Sequence, residues 1–139
     1  MSSKTDSTLT NSIGSILLNA LKAGVIAAVI NVIIFFIGRA VVGGINVDMN
    51  GTGNFAPMPF FLPIVSSLLP TLVAGVGLWI ARRFIPRGNQ VFVIGTAILV
   101  LLSVAIPFSG QIATTSAAIV LAVMHLVVGA LMIGYLARR

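Results

Sequence analysis

Five polar side chains, Asn31, Ser66, Thr71, Ser103 and His125, sit inside long apolar runs of this sequence. A histidine in such surroundings relays protons, binds a ligand or coordinates a haem or chlorophyll-type metal. The bland alternative is a neutral imidazole hydrogen-bonded to Asn31, Thr71 or a free carbonyl, joining helices at about 0.6 kcal/mol per bond. Asn31 can donate and accept, which suits an interhelical clamp as well as a substrate contact. Pro70 has no N–H to give the Ser66 carbonyl, so that oxygen is free for another partner. The depths converge. Asn31 falls midway between Lys22 and Arg39, Thr71 and Pro70 midway along 60–81, and His125 somewhat to the exterior side of the centre of the last apolar run. Ser66, Ser67 and Ser103 lie nearer one end. This spacing predicts one polar cluster near the midplane of a membrane. Little else is available for catalysis or metal binding. His125 is the only histidine, cysteine is absent, and the only acids, Asp6 and Asp48, lie outside the apolar runs. Neither a metal shell nor a nucleophile–base–electrophile set can be assembled, so we expect no enzyme and no cofactor.

The elements that must position these residues are four apolar stretches at 23–38, 60–81, 91–107 and 117–137. Each approaches the ~20 residues that cross ~30 Å of hydrocarbon as a helix. The composition agrees: 58% of the 139 residues are hydrophobic and 7% charged, against about 25% charged in ordinary globular chains. Mean hydropathy is +1.16. Uniformly apolar runs of this length predict helices rather than alternating barrel strands, hence an all-α, four-span integral membrane bundle in one domain, 12–139. Four crossings put both termini and the middle connection on one side, with Lys4, Lys22, Arg82, Arg83, Arg87, Arg138 and Arg139; the other side has only Arg39. Cytoplasmic loops carry the excess of Lys and Arg, so both termini are expected inside. The net charge of +6 is therefore a topology signal, and no nucleic-acid partner is expected. Membrane lipids are, together with a protein partner or a second copy of the chain. A cleavable signal peptide is disfavoured, because the stretch ahead of the first apolar core is long for an n-region.

Residues 1–11 are mostly Ser, Thr and Asn, which predicts a flexible tail. From Ser12, the residues Ile13, Ile16, Leu17, Ala20 and Leu21 share one helical face, predicting a short amphipathic lead-in helix at the interface with Lys22 reaching the head groups. The connection 40–59 is rich in Gly, Asn and Pro and is a candidate lid or partner surface, with Arg39 and Asp48 at its interface. Arg39 either snorkels or pairs with Asp48, a helix C-terminus or an anionic lipid. Asp48, Asn50, Thr52 and Gly53 begin like a calcium loop, but Pro59 stands where the closing glutamate belongs, so a turn is expected. The connection 108–116 is uncharged and reads as a plain exterior turn. Gly24 with Ala28, the group Ala74, Gly75 and Gly77, and Gly129 with Ala130 and Gly134 mark close helix approaches, within or between chains.

The runs Leu-Ala-Val-Met-His-Leu-Val-Val-Gly, 121–129, and Val-Ile-Asn-Val-Ile-Ile-Phe-Phe-Ile-Gly-Arg-Ala, 29–40, resemble a domain-of-unknown-function family of small bacterial four-helix membrane proteins. The resemblance rests on Asn31, Arg39 and the Met124–His125 pair and implies a bacterial cytoplasmic membrane, without supplying an activity. Small multidrug exporters need an acid within the first helix and quinone-linked disulfide enzymes need cysteines; this chain has neither. Its charge bias conflicts with the dual-topology insertion of fluoride channels. The reading that follows is a non-enzymatic membrane protein that acts by binding, as an accessory, scaffold or lipid-interacting subunit. The alternative is a small transporter or ligand-binding protein with an outward-facing pocket around Asn31 and His125.

Overall fold

The computed structural model describes residues 12–137; the expected tail, 1–11, lies outside them. Four helices dominate: α1 (Ile13–Val42), α2 (Leu62–Phe84), α3 (Gly88–Ala105) and α4 (Thr115–Leu136). All four are long and apolar enough to cross a membrane, α3 when its 3-10 extension to Ser109 is included. The protein is a multi-pass membrane bundle.

Local chemistry sets the helix ends. Ser12 caps α1 by accepting from the Ser15 amide at 3.2 Å, and Gly43, at φ 74°, stops it in the left-handed conformation that a side chain disfavours. Pro63 in the first turn of α2 lacks an N–H that would have had no helical partner there. The α2–α3 corner is tight. Arg87 adopts φ 59°, and a Cβ on Gly88 would overlap the Ala81 carbonyl.

The stretch expected as an interfacial lead-in is helical, but it continues without a break into the first span. Its residues Ile16 and Ala20 are buried in the bundle with Leu78, Phe92 and Leu136. The register follows from close contacts: a Cβ on Gly75 would meet Ala20, and one on Gly24 would meet Thr71. Lys22, exposed, therefore stands beside the middle of α2 rather than at its end. Packing accounts for this: Ile16 and Ala20 are buried in the bundle, and removing their apolar surface from contact with water or head groups is favourable.

Helix α1 packs on both α2 and α4, while α3 lies against α4 and α2 away from α1. The α1 N-terminus, the α2–α3 corner and the α4 C-terminus share one end, which carries Arg82, Arg83 and Arg87. The other end is a cap. Strands β1 (Asn46–Val47) and β2 (Ala56–Pro57) pair antiparallel, and Val47 bridges to Ala113 in the α3–α4 connection. The Asp48 amide donates to the Ile112 carbonyl at 2.8 Å, and the Met58 amide to the Ile45 carbonyl at 2.8 Å. The connection expected as a plain turn is thus stitched to the long loop, which leaves Ile45, Val47, Met58 and Ala113 packed with Phe35 and Leu121 beneath it.

Candidate functional site

A groove of about 630 Å³ opens between α2, α3 and α4, with Asn31 of α1 at its back and Met58 of the cap at its upper end. Its walls are helical stripes. On α2 they run through Ser66, Pro70, Val73 and Gly77; on α3 through Phe92, Thr96, Val100 and Ser103; on α4 through Leu121, His125, Val128 and Met132. Neighbours in each stripe are three or four residues apart, the spacing that puts side chains on one helical face. Gly77 and Gly95 provide room, since a Cβ on either meets nothing within 4 Å. Gly129 brings α3 close to α4, its Cα facing Val100 directly. The tight contacts at Gly24, Gly75 and Gly129 are all within one chain.

The polar residues gather at the cap-side half of the groove. The Asn31 amide nitrogen donates to Ser67 Oγ at 3.0 Å and to the Met124 carbonyl at 3.3 Å. Its orientation is determined by its partners. A carbonyl can only accept, and Ser67 spends its own proton on the Pro63 carbonyl at 2.6 Å, so nitrogen must face both. Asn31 Oδ1 is then left buried without a partner among the described residues. His125 Nδ1 lies 2.7 Å from the Leu121 carbonyl. It must carry the ring proton to bond there, so Nε2 of the neutral ring offers a lone pair. The histidine is thus tied to its own helix and not to Asn31 or Thr71.

The hydroxyl protons of Ser103 and Ser66 are bonded within their own helices. Ser103 Oγ donates to the Val100 carbonyl at 2.8 Å and Ser66 Oγ to the Pro63 carbonyl at 3.4 Å. Pro70 lies within α2, leaving the Ser66 carbonyl without a helical donor as the residue types predict. Of the five residues expected together, Asn31, Ser66, Ser103 and His125 border the groove. Thr71 does not: it is buried in the α1–α2 seam against Gly24, donating to the Ser67 and Leu68 carbonyls at 2.9 and 2.8 Å. Sequence reasoning passed over Thr96, whose signal was a second hydroxyl beside Ser103 in the third span. It also missed Ser67 as the partner of Asn31.

Of the readings left open at the capped end, Asp48 forms the expected turn and Arg39 is exposed rather than paired with it. Asp48 is buried, and its two oxygens accept from the Asn50 amide at 3.0 Å and the Gly53 amide at 2.6 Å. Burial pushes its carboxyl up, but the amides of Gly53, Asn50, Thr52 and Gly51 together outweigh that and hold it below its ordinary value. Asp48 therefore staples its own loop, while Arg39 is exposed. At the opposite end Arg82 donates to Asn89 Oδ1 at 2.9 Å and to the Leu136 carbonyl at 3.4 Å. Asn89 donates to the Ala137 carbonyl at 3.0 Å. These bonds satisfy terminal carbonyls of α4 that have no helical donor.

No curated protein and no solved structure gives a significant match to this chain. One family does match, over all of the described residues and every wall of the groove: residues 12–139 fit the family of unknown function DUF6069, and the chain belongs to it.

Proposed function

We propose that this protein is a non-enzymatic, lipid-interacting membrane protein that acts by binding, and that the bound molecule lies in the groove between α2, α3 and α4. The observation that carries this reading is the groove itself: about 630 Å³, walled mostly by apolar side chains and kept open by two glycines that face empty space. A close-packed interior has few voids larger than a water molecule, and apolar sites with a few polar groups are the usual form of a ligand pocket. Among the described residues the lining holds no Lys, Arg, Asp or Glu, which suits a molecule drawn from the hydrocarbon rather than an ion. We place the protein in a bacterial plasma membrane with both termini in the cytoplasm, on the charge distribution and the family resemblance.

Gly95→Leu tests the reading. Its side chain enters open space, so the variant should fold like the parent while the groove is filled. Native mass spectrometry of gently extracted protein should show a bound small molecule on the parent and little or none on Gly95→Leu. Equal occupancy in the two proteins, or bare parent protein, would sink the proposal.

A further inference from the structure

We infer that the groove selects neutral amphiphiles carrying a hydrogen-bond donor, such as an alcohol, a phenol or an N–H group, and seats that donor against Asn31 and His125 with the hydrocarbon running toward the basic end. This rests on the groove being a binding site, as proposed above. It adds the chemistry of the occupant and its direction.

The argument is a count of donors and acceptors. Asn31 Oδ1 is buried and unpartnered among the described residues, on a side chain only 1% exposed. Its amide protons are already committed to Ser67 and Met124. The Nδ1 proton of His125 is committed to Leu121, leaving Nε2 as an acceptor. The Ser66 carbonyl loses its helical donor to Pro70. The protons of Ser66 and Ser103 are bonded to their own helix, so among the described residues of the polar lining Thr96 alone has an uncommitted one. The cap-side half therefore offers acceptors in surplus. A buried acceptor without a donor costs about 1–3 kcal/mol, and a ligand hydroxyl or N–H removes that cost. A ligand with acceptors only, such as an ether or ester, leaves it in place.

A charged donor is disfavoured by the same walls. No carboxylate among the described residues borders the groove, and an uncompensated cation in the hydrocarbon is costly. Direction follows from the gradient along the groove. Asn31, Ser66, Ser103 and His125 lie toward the cap, whereas Ala81, Val91, Phe92 and Met132 line the basic end. A donor placed at the first group leaves its chain beside the second.

Two probes of nearly equal shape decide the matter: 4-nonylphenol and 4-nonylanisole, which differ in one donor. The full chain in detergent micelles should bind the phenol about tenfold more tightly than the ether, the ratio expected for one added hydrogen bond to a buried acceptor. Asn31→Leu should bring the two affinities within about twofold of each other. Because His125 is the only histidine, its Nε2 nitrogen resonance reports on the unsubstituted protein: the phenol should shift it and the ether should not. Equal affinities in the parent, with both probes excluded by Gly95→Leu, would overturn the donor preference while leaving groove binding intact, as would water already satisfying Asn31. Binding unaffected by Gly95→Leu, or none at all, would overturn both.

Discussion

Asp48 shows how one carboxylate organises a loop without binding a metal. Four backbone amides favour its charged form and hold its carboxyl below the ordinary value of 3.8. A depressed folded-state pKa means the contribution to stability is fully present above 3.8 and is lost as pH falls below it through the lowered value. Acidification should therefore release the loop. The protection factors of the Asn50 and Gly53 amides, which correct for the fall of intrinsic exchange with acid, should be high near neutrality and drop below that point, and in Asp48→Ala they should be low at every pH. Equal protection on both sides of the transition would show that the staple carries nothing. The depth of Asn31, Ser66, Ser103 and His125 was legible in the sequence, because distance along a span translates into depth. Which serine Asn31 meets was not. Ser66 and Ser67 are adjacent in sequence, so they point about 100° apart on the helix, and only the rotation of α2 against α1 decides that Ser67 faces inward and Ser66 the groove.

At the scale of elements, all four spans were readable from length and hydropathy alone, the last three to within about three residues of their ends, and the extent of the first was not. Helix α1 extends to Ile13 and Val42, well beyond the expected span 23–38, since the stretch read as a separate lead-in is continuous with it, Ser12 and Gly43 cap it, and its polar residues Asn19 and Lys22 are exposed on the outer surface. The cap escaped notice for another reason: strands of two residues carry no period to read. The glycine pattern was legible as close packing, with the structure adding which glycines matter. Gly24 is set against Thr71 and Leu68, while Gly134 faces open space. Gly24→Leu should separate α1 from α2 and lower stability by about 1–3 kcal/mol, whereas Gly134→Leu should stay within about 0.5 kcal/mol. Thermal unfolding in the same detergent compares them. Similar losses from both would mean that the α1–α2 seam adapts, or that Gly134 meets something the bundle alone does not contain.

For the whole molecule, the decisive pattern is that the basic corner and the capped end lie at opposite ends of one bundle. The proposed orientation puts the cap outside, and the chain is ready for a direct test because it has no cysteine. Asn50→Cys should react with an impermeant maleimide in intact cells, and Gln90→Cys only after permeabilisation; the reverse pattern would turn the protein over. Helix α1 adds a constraint of a different kind. Its 30 residues measure about 45 Å at 1.5 Å each, against ~30 Å of hydrocarbon. The packing of Ala20 on Gly75 and of Gly24 on Thr71 brings its start level with the end of α2, so the surplus rises on the capped side. It forms a pedestal that lifts the hairpin, with its unpaired peptide groups, out of the hydrocarbon into the head-group layer. Bilayer thickness thereby becomes a limit on where this protein can live: a thin membrane leaves the hairpin wet, and a thick one would draw peptide groups that only water can satisfy into oil.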